Sequence, residues 1–307
     1  MGTLQTLWAG RPCLIVAEIA QAHDGSLGMA HAYIDAAASA GADAVTFQTH
    51  IASEESTRNE PWRVRFSEQD ATRYDYWKRL EFTPEMWSGL KRHADRAGLL
   101  FFSSPFSVAA VDLLEALDVP LWKIASGEVA NKPLIDRLIR TGKPAIVSAG
   151  MCTPEELDAC MGWLEQAGAE RLLLQCTSEY PCPADRIGLN MLETFRAQYC
   201  CPVGLSDHSG TIVPGVVAAY LGASLIEVHI TFDKRSFGPD TPASLTIEQL
   251  RQLVEGAKFA ARMAASPADG VSRAERYKDL RAIFYRSLVA KTALSAGTVL
   301  GEHMVAA

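Results

Sequence analysis

The chain has 307 residues, 48% hydrophobic and 21% charged, with a formal net charge of −7 at pH 7. That balance suits a globular protein with a sizeable core and argues against a nucleic-acid surface. No apolar run is long enough to span a bilayer, and residues 1–12 lack the basic start and apolar stretch of a signal peptide, so a cytoplasmic location is expected. Seven cysteines are scattered without a CxxC pair or a Cys/His cluster, which leaves no zinc or dithiol signature. Cys182, after Tyr180-Pro181, is a candidate nucleophile; the plainer reading is an inert reduced thiol.

Eight short apolar runs follow in chain order, each ending in a polar or ionisable residue. They are Leu14–Ala17 before Glu18, Ala44–Phe47 before Gln48, Leu99–Phe102 before Ser103, and Leu121–Ile124 before Ser126. Then come Ala145–Val147 before Ser148, Leu172–Leu174 before Gln175, Val203–Leu205 before Ser206-Asp207-His208, and Leu225–Val228 before His229. Little alternation within a run marks a strand buried on both faces. Helical patterns lie between them, at 27–40, 84–97, 108–116, 132–141, 154–167, 191–198, 213–221 and 247–264. Gly41, Thr153-Pro154 and Thr246 supply stop and start signals. Eight βα units predict an α/β fold, a (β/α)8 TIM barrel over 1–265, with its chemistry at the carboxyl ends of the strands. An insertion from His50 to about Phe82, rich in charge and aromatics, reads as a folded lid or rim, or as decoration or a dimer contact. Residues 266–285 read as a linker, and the tail as a strand, a turn around Gly297 and a second short strand.

His208 and His229 end adjacent strands, so their imidazoles can converge on a divalent metal beside Asp207 and Asp240. Glu18 points into the same mouth as a base, a hydroxyl acceptor or a partner of metal-bound water, or else ties down a loop. Lys123 sits in an apolar strand, where an unpaired ammonium is costly. It needs an anion, a Schiff-base carbonyl, or a buried pair with Glu128. Hydroxyls at Ser103, Ser104, Ser126, Ser148, Thr177 and Ser206, beside Gly127 and Gly150, can cradle a phosphate. No nucleotide-binding glycine motif is present.

The segments AEIAQAHDGSLG (17–28), GADAVTFQTH (41–50), KIASGEVANKPLI (123–135), TGKPAIVSAGM (141–151), LQCTSEYPCP (174–183), GLSDHSG (204–210) and GASLIEVHITFDK (222–234) resemble the sialic acid synthase family. The resemblance implies condensation of phosphoenolpyruvate with an N-acylated hexose in its open-chain aldehyde form. C3 of phosphoenolpyruvate attacks the aldehyde carbon, water adds at C2, and phosphate leaves. It implies a divalent metal held by His208 and His229, manganese first, with magnesium or cobalt as alternatives. Glu18, Lys123, Glu128 and Asp240 are the implied catalytic set. Thr46, Ser104, Lys123, Ser126, Ser148 and Ser206 would bind phosphoenolpyruvate, and Gln48, Tyr180 and Asp240 the sugar.

Two departures stand out. The family usually carries a lysine where this chain has Thr46, which can donate only one neutral hydrogen bond. The family also ends in an antifreeze-like domain that caps the partner's barrel in a homodimer; residues 286–307 resemble only its beginning. The stretch HIASEEST…EPWRVRF…DYWKRLEFT resembles a bacterial subgroup linked to surface or spore-coat polysaccharides. The partners expected are small molecules and a second copy of the chain, with neither nucleic acid nor membrane. Two rivals remain open at this point, a Schiff-base aldolase using Lys123 and a catalytically weakened homologue kept for assembly.

Overall fold

The computed structural model describes residues 4–8, 10–62 and 64–307. A one-turn helix α1 (Leu4–Leu7) precedes β1 (Leu14–Ala20), α2 (Leu27–Ala40) and β2 (Ala44–Thr49). The insertion folds as α3 (Ala52–Glu55) and α4 (Arg73–Leu80), followed by α5 (Pro84–Arg96) and β3 (Leu100–Pro105). Next are α6 (Val108–Ala116), β4 (Trp122–Ile124), α7 (Lys132–Ile139), β5 (Ala145–Ser148), α8 (Pro154–Gln166) and β6 (Arg171–Cys176). The barrel is completed by α9 (Met191–Tyr199), β7 (Val203–Asp207), α10 (Val213–Tyr220), β8 (Leu225–Thr231), a two-residue β9 (Leu245–Thr246) and α11 (Ile247–Ala264).

Helix boundaries follow local chemistry. Ser26 accepts from Met29 N to start α2, and Gly41, at φ +82°, ends it by donating to Ala37 and Ala38 carbonyls. Thr153 and Glu156 form a reciprocal capping box on α8. Every strand pairing in the barrel is parallel, and the ladder runs β3-β2-β1-β8-β7-β6-β5-β4. β3 and β4 lie side by side and bring the ring nearly to closure.

Both strand faces are buried, which is why the runs do not alternate. Ile15, Ala17, Val45, Phe47, Phe101 and Trp122 face the helices, in one large cluster. Leu14, Val16, Ala44, Phe102, Leu121, Ile146, Leu172, Leu174 and Leu225 fill the barrel, with Leu4 of α1 packed among them. Gly204 is required inside this ring, because a Cβ there would lie 2.3 Å from Leu225 O. No helix among the described residues is long and apolar enough to cross a membrane.

Residues 265–307 form a second unit. The stretch expected as a linker is helical over α12 (Gly270–Arg276) and α13 (Lys278–Phe284), with Asp269 accepting from Ser272 N as the cap. Its Arg, Glu, Lys and Leu are good helix formers. In the tail, β10 (Val289–Ala290) pairs antiparallel with β11 (Val305–Ala306), and Gly297 is left-handed at φ +88°. The second strand therefore lies beyond His303, where Glu302–Met304 makes a 3-10 turn.

Candidate active site

The two-residue period of a strand sets what lies above the inner apolar layers. Two residues beyond Val16 is Glu18, beyond Phe102 is Ser104, beyond Leu121 is Lys123, beyond Ile146 is Ser148, beyond Gly204 is Ser206, and beyond Leu225 is Glu227. Register aligns these positions across strands, pairing Ser206 with Glu227 and Glu18 with both Thr46 and His229. The barrel interior thus changes from apolar to polar over one pleat. Above it opens a cavity of about 510 Å³ at the carboxyl ends of the strands. Of the residues that the resemblance implies for catalysis, substrate and metal, all line it except Thr46; Ser103, Thr177, Cys182 and Asp207 do not line it either.

Lys123 is paired, but not with Glu128. Its Nζ lies 3.0 Å from Glu227 Oε1, both side chains being buried. Ser206 Oγ donates to the same oxygen at 3.0 Å, while Glu227 Oε2 is buried without a partner among the described residues. Glu128 instead follows the strand in a 3-10 turn and accepts from Asn131 Nδ2 at 2.7 Å. Burial pulls the Lys123 ammonium down, but Glu227 and Glu18 outweigh it and the net direction is up. A Schiff base requires a neutral amine, so the aldolase alternative is not favoured. The same surroundings that keep Lys123 charged keep Glu18 uncharged. Burial first, and then the Glu227 carboxylate, push its carboxyl far above the ordinary carboxylate range. Glu18 Oε1 also accepts from Ala20 N at 3.0 Å, so it does tie down the strand end.

The hydroxyls divide by strand parity. Ser126 Oγ accepts from Gly150 N at 3.0 Å, and Ser148 Oγ is buried with no partner among the described residues. Gly150 keeps this corner open, since a Cβ there would lie 2.4 Å from Ser178 Oγ and 2.6 Å from Ser126 Oγ. Ser103 has the opposite parity and bonds Phe47 O at 2.8 Å, and Thr177 Oγ1 donates to Arg186 O at 2.8 Å, so both are structural. Thr46 is fully buried one pleat below Gln48, its hydroxyl without a partner among the described residues. Thr46→Val removes that unpaired hydroxyl at near-constant volume and is expected to raise stability by about 1 kcal/mol in urea melts. A loss of that size would show the hydroxyl to be paired.

His208 and His229 face each other with ring centroids 5.2 Å apart, and Tyr180 lies 4.1 Å from the His208 ring. His208 Nδ1 is 2.9 Å from Thr177 O, which can only accept, so Nδ1 carries the hydrogen and Nε2 the lone pair. Burial, and then His229, push His208 down to about 3, leaving the imidazole neutral. His229 Nδ1 lies 4.0 Å from Asp240 Oδ2. Among the described residues no three His, Cys, Asp or Glu side chains form a ready metal cage. Two imidazoles with a carboxylate alongside could hold an ion whose other positions fall to water and substrate. Cys182 does not line the cavity, and burial, then Asp207, raise its thiol, so the nucleophile expectation is not supported.

The insertion folds over the β2 side of the mouth, and sequence reasoning left its residues unassigned. His50 is sandwiched between Trp77 and Phe106, at 3.9 and 4.2 Å. Its Nδ1 is 2.7 Å from Glu55 Oε1 and its Nε2 2.9 Å from Gln21 Nε2, while Gln21 Nε2 also donates to Gln48 Oε1. With Nδ1–H given to Glu55, this chain fixes the Gln48 amide and leaves its NH2 end to the cavity. Arg79 clamps the insertion to the first loop, pairing with Asp70 and Asp24 at 2.8 Å each. Gly25 fits there at φ +77°, where a Cβ would lie 2.6 Å from Arg79 O.

Beneath this clamp His23 packs 4.6 Å from the Phe82 ring, and its Nδ1 accepts from Gly25 N at 3.1 Å. Burial, then His50 and Arg79, push it down to about 3. The unfolded imidazole titrates near 6.5, so the stability this group contributes is present above about pH 6.5 and lost as pH falls toward 3. Stability is expected to drop by about 1.4 kcal/mol per pH unit from this residue, as one proton is taken up on unfolding. Urea melts of the wild type and His23→Gln between pH 7 and 5 check this. Equal slopes for the two proteins would rule it out.

A polar, water-accessible cavity carrying a buried ammonium, opposed carboxylates and two imidazoles, at the strand ends of a parallel barrel, defines a (β/α)8-barrel enzyme. The chain belongs to the NeuB family, whose model matches residues 33–268. It is 32% identical to N,N'-diacetyllegionaminic acid synthase of Campylobacter jejuni over 296 residues, 94% of this chain and 88% of that protein. It is 31% identical to human N-acetylneuraminate-9-phosphate synthase over 97% of this chain and 84% of that one. A solved sialic acid synthetase from Leptospira borgpetersenii superposes with a TM-score of 0.77 at 28% identity, over 90% of this chain and 94% of that chain. These relatives are sugar-acid synthases.

Proposed function

We propose that this protein condenses phosphoenolpyruvate with the open-chain aldehyde of an N-acylated hexosamine, giving a nonulosonic acid and phosphate. The observation that carries this reading is the joint presence, in one cavity, of the Lys123 ammonium, a ring of serine hydroxyls and the facing pair His208 and His229. Lys123 and Ser206 receive an anionic end of phosphoenolpyruvate, with Ser126, Ser148 and the Gly150 corner as further donors. Ser148 Oγ, now without a partner, gains one when substrate enters. Gln48 and Tyr180 orient the sugar. Glu18, its carboxyl held in the protonated range, is suited to give a proton to the developing alkoxide at the aldehyde oxygen. Glu227 keeps Lys123 charged and aimed.

The donor set fits a divalent cation, held by Nε2 of His208 and by His229 with Asp240 alongside. Manganese, or magnesium or cobalt in its place, supplies Lewis-acid polarisation of the aldehyde carbonyl when bound.

The reaction has a distinctive atom balance. C3 of phosphoenolpyruvate bonds to the aldehyde carbon, water supplies the new oxygen at C2, and the C2–O bond to phosphate breaks. With phosphoenolpyruvate labelled by ¹⁸O in the bridging position, the label is expected in the released phosphate. Label retained in the sugar acid would refute the proposed route.

A further inference from the structure

The charges lining the cavity do not balance for a phosphorylated substrate. Glu128, Glu227 and Asp240 line it beside the protonated Glu18, and among the described residues the Lys and Arg side chains there are Lys123 and Arg73. Lys123 already has Glu227 at 3.0 Å. Arg73, the first residue of α4, is different. Among the described residues it donates from Nη1 to one carbonyl, Pro61 O, at 3.4 Å, and no carboxylate there pairs with it. Arg79, on the same helix, has two carboxylates and a carbonyl, which is what a structural arginine looks like in this insertion.

Arg73 is nevertheless held in place. Its guanidinium carbon lies 5.6 Å from the Trp77 ring centroid, Trp77 stacks on His50, and His50 on Phe106. The Trp77 indole N–H is buried beside it with no acceptor among the described residues. A guanidinium packed on an aromatic stack at a cavity edge, with most of its five donors unclaimed, matches an oxyanion with several acceptors. The tetrahedral dianion of a phosphate monoester is such a group.

We infer that Arg73 is a substrate-binding residue that receives a phosphate monoester at the rim of the cavity; this rests on the function proposed above. Two sources share that chemistry. One is phosphoenolpyruvate itself. The other is an acceptor phosphorylated at its far end, which is position 6 of a hexosamine, because three carbons of a 9-phosphorylated product come from phosphoenolpyruvate.

Isothermal titration of the wild type, Arg73→Met and Arg73→Lys decides the matter, with phosphoenolpyruvate, N-acetylmannosamine 6-phosphate and N-acetylmannosamine as probes. Met keeps the stem on Trp77 without charge, and Lys keeps the charge without the fork. Arg73→Met is expected to weaken one phosphorylated probe roughly ten- to hundredfold and N-acetylmannosamine less than twofold, with Arg73→Lys in between. The probe that weakens identifies the source. Binding of both phosphorylated probes within twofold of the wild type, at unchanged melting temperature, would overturn the assignment, as would a wild type that binds neither. If Arg73→Met does not fold, Arg73→Gln takes its place. A wild type that binds a phosphorylated probe in an Arg73-dependent way, yet releases no phosphate with any acceptor, would sink the proposed reaction and leave this assignment standing.

Discussion

Lys123→Met is expected to lower turnover at least a thousandfold and to destabilise the fold by about 3–5 kcal/mol, because the Glu227 carboxylate is left buried without its counter-charge. Lys123→Met combined with Glu227→Gln should recover most of the stability and none of the activity. The double variant separates two roles. If the ammonium only balanced buried carboxylates, neutralising both partners would restore function as well as fold. Urea melts and phosphate-release rates on the same three proteins distinguish these outcomes. A single variant that melts like the wild type would contradict the buried pair itself.

His208→Asn is the second large effect. Asn can still donate to Thr177 O, as His208 Nδ1 does, so the loop after β6 keeps its bond. What is lost is the neutral Nε2 facing His229. Turnover is expected to fall by two orders of magnitude or more. Manganese binding, followed by electron paramagnetic resonance of the free ion, should weaken with it. Wild-type manganese affinity in His208→Asn, or in His229→Asn, would remove these imidazoles from the proposed ligand set.

The parts of this fold legible in the sequence are those set by local rules. Apolar runs without alternation marked strands buried on both faces, and a polar residue at the end of each run marked the mouth. Thr153 and Gly41 marked helix ends because caps are short-range chemistry. Tertiary pairing was the part that stayed hidden. Glu227 lies inside an apolar run and reads there as strand body. Its parity, two residues before His229 and facing inward, was the available signal. Without it Lys123 was offered Glu128, which is close in sequence but turned toward Asn131. Thr46 was placed among the ligands by resemblance, whereas side-chain length leaves its hydroxyl a pleat beneath the cavity. The insertion could be read as a rim from its aromatics. The stack of Arg73, Trp77, His50 and Phe106 joins two loops and has no local sequence signature.

The most direct test of the central claim is phosphate release from phosphoenolpyruvate with N-acetylmannosamine, its 6-phosphate or a diacetamido hexose as acceptor, each with manganese and again with excess chelator. The proposed function predicts release that requires one of these sugars and stops when the metal is withdrawn. Folded protein that releases no phosphate with any acceptor, or releases it equally under chelator, would contradict the account.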